Sequence, residues 1–171
     1  MFAAELQNAE LMLTPERLRA ANIHPETRLA TDYLNHFNEA IMLLELIPSM
    51  PDCMEDVIGW QPRSYEEHFR ASSYRDKELV LVAFQHVPTE VLARFHAVID
   101  QMNQLMTAAI DSLKVVGPGP ATAIVAEEAG LILKRLAARA TGIMNAATET
   151  EEDLALPASA QDAIDALMRR L

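Results

Sequence analysis

Residues 87–146, VPTEVLARFHAVIDQMNQLMTAAIDSLKVVGPGPATAIVAEEAGLILKRLAARATGIMNA, decide how this chain folds. Apolar side chains recur there at helical spacing: Val91, Leu92, Phe95, Val98, Ile99, Met102, Leu105, Met106, Ala109, Ile110 and Leu113. Steps of three and four residues keep these positions on one broad stripe of an α-helix, whereas a half-buried strand would alternate. Pro88 marks the start, because the residue before a proline is steered away from helical dihedrals. The helix is expected to run to about Val115. Gly117-Pro118-Gly119-Pro120 then stops it, since proline cannot extend the hydrogen-bond ladder but suits the first turn of the next helix. That next helix is predicted over Ala121–Ala146. Its main face carries Val125, Ala129, Ile132, Leu136, Ala140 and Ile143, and Leu131 and Leu133 widen it. Two long helices joined by so short a connection should lie antiparallel.

Upstream, Arg28–Ile47 repeats the helical period through Leu29, Ala30, Tyr33, Leu34, Phe37, Ala40, Ile41, Leu44 and Ile47, and Pro48 ends it. Pro48, Pro51, Gly59 and Pro62 punctuate residues 48–73, which leaves room for two short helices near 52–58 and 64–71. Ser64 and Glu67 have capping-box spacing, and Ser73 with Asp76 resembles it, so a further helix is expected over Tyr74–His86. Downstream, TETEED (Thr148–Asp153) reads as an exposed linker, and a terminal helix is expected from Ser159, with Asp162 at capping distance.

The fold class predicted is all-α: an up-and-down four-helix-type bundle with short accessory helices in the 48–73 crossover and at both termini. A length of 171 residues fits one domain, because a chain of about 150 residues already buries about 68–70% of its extended surface. Within 1–171, residues 1–25 form an N-terminal accessory segment and 26–146 the bundle core. Residues 147–157 form the acidic linker and 158–171 a C-terminal helix. No repeat of 20–50 residues is visible, which argues against a solenoid.

Composition removes several function classes. Fourteen Lys and Arg stand against 25 Asp and Glu, for a formal net charge of −11. A nucleic-acid surface needs clustered basic residues to displace counterions, so no nucleic-acid partner is expected. The tightest basic group, Lys134, Arg135 and Arg139, reads as a solvated helix face. No stretch reaches the ~18–20 apolar residues of a transmembrane helix, so no membrane partner is expected either. MFAAELQNAELML carries two Glu and no basic residue before Arg17, unlike a signal-peptide n-region, and the expected compartment is the cytoplasm. Cys53 is the single cysteine. Asp52 and Glu55 beside it would disfavour a thiolate, so it reads as a small packed hydrophobe. Motifs for a nucleophilic Ser, a P-loop or a dinucleotide site are absent. The residues after His36 and His96 are acidic rather than basic, which is unsuited to a phosphohistidine.

Two constellations remain. Asp32, His36 and Glu39 share one edge of the Arg28–Ile47 helix, and His96 with Asp100 shares an edge of the next long one, continued by Asn103. If those edges meet, His36, Glu39, His96 and Asp100, with His68 as a further candidate, would supply imidazole and carboxylate ligands for a divalent first-row metal. The order His36-x-x-Glu39 reverses the Glu-x-x-His of ferritin-like di-metal bundles, and no second copy exists. No cofactor is otherwise predicted. The second constellation is GWQPRSYEEHF (Gly59–Phe69), which holds the only Trp and three of the nine aromatic residues. Trp60, Arg63, Tyr65 and His68 there have the chemistry of an interaction surface, while Trp60, Tyr65 and Phe69 could instead staple the crossover onto the bundle.

The expectation for function is an interaction or regulatory protein without catalysis that self-associates as a homodimer, because Ile41–Ile47 and Leu131–Leu133 are apolar on more than one side. Two other readings stay open. One is a metal-binding bundle, with a metal-dependent reaction as its extension. The other is a carrier of a small apolar ligand in a pocket lined by some of the nine Met residues.

Overall fold

A computed structural model of the chain describes residues 11–149 and the isolated positions 8, 151, 162, 166 and 169. The terminal helix expected over 158–171 and most of the acidic linker fall outside the described residues. Within them the chain is all-helical and no strand forms. Seven α-helices follow one another: α1 (Pro15–Ala20), α2 (Asn35–Leu46), α3 (Cys53–Ile58), α4 (Tyr65–Ala71), α5 (Lys77–Phe84), α6 (Thr89–Val116) and α7 (Pro120–Met144). A 3-10 turn, Thr31–Leu34, leads into α2. No helix of the described residues is long and apolar enough to cross a membrane.

The α6–α7 hairpin is the backbone of the fold. Gly117 reverses the chain at φ 62°, in the left-handed region where a Cβ would be penalised, and its N–H closes α6 on Leu113 O at 3.1 Å. Pro120 opens α7, and the Thr122 hydroxyl donates back to Gly117 O across the turn. At the far end Glu149 accepts from Arg139 Nε at 2.9 Å and lies 3.6 Å from Arg94, which ties the start of α6 to the end of α7. The helices are therefore antiparallel. The stripe read from the sequence is buried from Phe95 to Leu113, and Met102, Met106 and Met144 are fully enclosed as core. Its first members, Val91 and Leu92, are half-buried.

Helix α7 is flanked on its other side by α2. Small residues make that approach close: a Cβ placed on Gly130 would stand 3.7 Å from Leu44 Cβ. Glu45 of α2 pairs with Lys134 of α7. The basic group Lys134, Arg135 and Arg139 is thus not a plain solvated ridge, because two of its members are ion-paired within the chain. Packing on both sides also accounts for the width of the apolar faces. Of the apolar residues in Ile41–Ile47 and Leu131–Leu133, only Met42 (53%) and Leu131 (58%) stay exposed.

The helix expected over Arg28–Ile47 starts later than its periodicity implies. Arg28 adopts φ 60° and Ala30 is extended. Long-range hydrogen bonds hold this strap: the Thr27 hydroxyl donates to Met144 O, Ala30 N–H donates to Tyr65 Oη at 2.9 Å, and the Arg28 guanidinium donates to His86 O at 3.1 Å. Leu29 and Ala30 still reach the core, but from an extended segment. The helix expected over Tyr74–His86 is likewise shorter. Ser72 forms the turn before it, accepting from Tyr74 N–H and donating to Phe69 O, and regular helix begins at Lys77. In the crossover, α3 and α4 match the two short helices expected, and Cys53 is a free, buried thiol.

Candidate binding cleft

The crossover is anchored by its aromatic residues. Trp60 follows α3, is 8% exposed and lies flat against His36 with ring centroids 4.6 Å apart. Its indole N–H donates to His36 O at 3.3 Å. Pro62 and Arg63 carry the chain to Ser64, where the capping box forms: Glu67 N–H donates to Ser64 Oγ at 3.2 Å, and Ser64 N–H donates to the Glu67 carboxylate at 2.8 Å. Hydrogen bonding to the carboxylate from the Ser64 backbone N–H, and after it from the Ser64 hydroxyl, holds the Glu67 carboxyl below its ordinary pKa. The cap fixes the direction of α4, and so of Tyr65 and Phe69, both buried. Tyr65 stacks on Phe84 at 4.5 Å and meets Phe95 edge-on at 5.8 Å.

Between residues 62–67 and the outer face of α6 lies a cleft of about 460 Å³. Tyr33, Tyr65, Phe95 and Ile99, all buried, line its depth, and Phe84 forms a side wall. Arg63, Glu66 and Glu67 border it on the crossover side; His96, Asp100 and Asn103 border it on α6. Apolar depth with a few polar groups at the edge is the usual anatomy of a small-ligand site.

Most hydroxyls here already have structural partners. Tyr33 donates to Arg63 O at 2.7 Å, Tyr65 accepts from Ala30 N–H, and Ser64 caps α4. Burial raises the pKa of the Tyr33 hydroxyl well above the usual phenol range, and the negative charges of Asp100 and Glu67 push it the same way. Burial raises Tyr65 as well, against the opposing effect of the Ala30 N–H. Neither phenol is poised to ionise near neutral pH. What the cleft offers a visitor is aromatic surface and charge.

The metal-ligand candidates take different places. His36 is buried against Trp60, 6.5 Å from the His68 ring, and burial lowers its pKa to about 4, with the Arg63 charge adding to the effect. His68 is half-buried; burial lowers its pKa while Asp32, 3.9 Å away, opposes. Glu39 is exposed on α2. His96 packs against Phe84 and Phe95 and stands with Asp100 on the cleft. Among the described residues, no group of three or more His, Cys, Asp or Glu side chains is arranged to hold a metal ion. Of the crossover residues, Trp60 is packed down, Tyr65 floors the cleft, and Arg63 is exposed at its edge.

Four apolar residues of the cleft, Tyr33, Phe84, Phe95 and Ile99, escaped the sequence reading as site candidates. Tyr33 and Phe84 sit in apolar stripes and look like core, and only their approach to Tyr65 from distant segments makes them cleft walls. A second, more apolar groove of about 360 Å³ lies at the other end, lined by Pro48, Pro51, Met54 and Pro118 among others. Comparison with protein-family models, with curated proteins and with solved structures gives no match.

Proposed function

We propose that the chain is an interaction or regulatory module whose recognition site is the cleft between residues 62–67 and α6. The observation that carries this reading is the division of labour around the cleft. Its hydroxyls serve the fold, while rings and charged groups face the open space. Such groups recognise a ligand; they do not form a nucleophile–base pair. On the same reading, α5 is the short fourth helix of an up-and-down bundle and 48–73 is its elaborate crossover.

Chemical-shift mapping with a fragment library tests the proposal on the full chain. Fragments should move the amide signals of Tyr65, Phe95, Ile99 and Asp100 together. A library that leaves all four unmoved at millimolar concentration would end the reading.

Self-association is a second reading, supported by the exposure of Met42 and Leu131. Each sits one turn before a member of the Glu45–Lys134 pair, so both flank the α2–α7 seam. Sedimentation should then show a dimer that Leu131→Asp dissociates; a strict monomer at tens of micromolar removes it.

A further inference from the structure

We propose that the cleft selects a primary ammonium group carried on a short apolar body. This deepens the binding reading above and rests on it. Asp100 and Asn103 stand one turn apart on α6 and both line the cleft. Asp100 is exposed and, among the described residues, has no ion pair or side-chain hydrogen bond. The Asn103 side-chain oxygen is buried and lacks a donor. A buried acceptor without a donor is unfavourable, and native structures seldom leave one unless something completes it. Two neighbouring acceptors, one of them ionised, call for a cation that brings several N–H groups.

The surroundings favour the same charge. Ring faces attract cations through their quadrupole, and Tyr33, Tyr65, Phe84 and Phe95 supply rings along the depth and side of the cleft. Burial is the main cause that raises the Tyr33 hydroxyl at the floor, and the negative charges of Asp100 and Glu67 add to it. An anion could meet Arg63 at the edge, but it would enter against those two carboxylates. Glu66 is less available, because it pairs with Arg70 at 3.4 Å. Quaternary ammonium would gain from charge and rings, yet it has no N–H for Asp100 and Asn103. The chemistry is shared by a free alkyl or arylalkyl amine and by a lysine side chain, and a cleft of about 460 Å³ has room for either.

Titration of the full chain at pH 7, followed by amide shifts and calorimetry, separates these cases. The ligands are 2-phenylethylammonium, its N,N,N-trimethyl derivative, 3-phenylpropanoate, 2-phenylethanol, and a capped Lys-Phe dipeptide. The primary ammonium should bind at Tyr65, Phe95 and Asp100, ahead of the trimethyl, anionic and neutral analogues. Asp100→Asn should weaken it about tenfold, the loss of one charge-assisted hydrogen bond. Asn103→Leu should also weaken it while leaving thermal stability unchanged or higher, a pairing that a purely structural role for Asn103 would not give. Binding of the dipeptide ahead of 2-phenylethylammonium assigns the ammonium to a lysine side chain; the reverse order assigns it to a free amine. If the alcohol or the carboxylate binds the same residues as tightly as the ammonium, the charge selectivity is wrong and the cleft survives as a site. If no amine binds while library fragments do, the inference fails alone. If neither amines nor fragments bind, it falls together with the binding reading.

Discussion

The two sides of the crossover are built from the same residue types and have opposite characters. On the side facing α2, Trp60 stacks on His36 with the His68 ring 6.5 Å beyond, and the Nε2 atoms of both imidazoles are buried without hydrogen-bond partners. On the side facing α6, Tyr65, Phe95, His96 and Asp100 surround open space. Aromatic, imidazole and carboxylate groups are present in both, with Asp32 beside His68. Available volume separates them. Where the rings close on one another, polar atoms are desolvated and the group acts as a clamp. Where they stop short, the same chemistry is left facing open space.

Trp60→Ala attacks the closed side most directly. Removal of a buried indole, with its stack on His36 and its bond to His36 O, should cost about 3–5 kcal/mol in urea unfolding. The His36 ring would then be reached by water, and its pKa in an NMR titration should climb from about 4 toward 6.5. A loss below about 1 kcal/mol would mean that the indole is not the clamp.

The next effect is on pH dependence. His36 has a folded pKa below its ordinary value, so between about 6.5 and about 4 the unfolded chain binds a proton that the folded chain refuses. The stabilisation is complete above pH 6.5, declines as pH falls through this window, and amounts to about 3 kcal/mol at most. His68 is lowered too and contributes in the same direction. The urea midpoint, followed by circular dichroism, should drop between pH 7 and 4.5, and the drop should shrink in His36→Phe, which keeps a ring against Trp60. An unchanged slope in that variant would assign the acid sensitivity to other groups.

Tyr65→Phe tests the boundary between the two sides. The ring is kept, but the buried Ala30 N–H loses its acceptor, and about 1–3 kcal/mol of stability should go with it. Hydrogen exchange at Ala30 should speed up as the strap before α2 loosens. The smallest effect belongs to the open side: His96→Ala, at an exposed position on the cleft, should change stability by less than about 0.5 kcal/mol. If it destabilises as much as Trp60→Ala, the two sides are not the closed clamp and open cleft described.

Much of the helical framework was legible in the residues. The α6 stripe, the Gly117–Pro120 turn, the two short helices of the crossover and the Ser64–Glu67 cap all depend on neighbours within a few positions. Local geometry is enough to specify them, since a helical period and a cap involve only three or four residues. The start of α2 was not legible. Leu29 and Ala30 fit a helical stripe, yet Tyr65 and Met144 pull their segment out of helix from 35 and 117 residues away. The candidate site divided in the same manner. Arg63, Tyr65, His96 and Asp100 stand out by residue type, whereas Tyr33 and Phe84 looked like ordinary core.

By itself, the sequence determined the helical character of the chain, the proline and glycine breaks at 48 and 117–120, and a formal net charge of −11. Tertiary structure decided the rest. It filled the broad faces of α2 and α7 with helices of the same chain, leaving Met42 and Leu131 outside. It also packed His36 against Trp60 while leaving His96 on an open cleft. The physical reason is one of range. Periodicity places a side chain on a face of its own helix, but only packing between segments decides whether that face meets protein, a cavity or water.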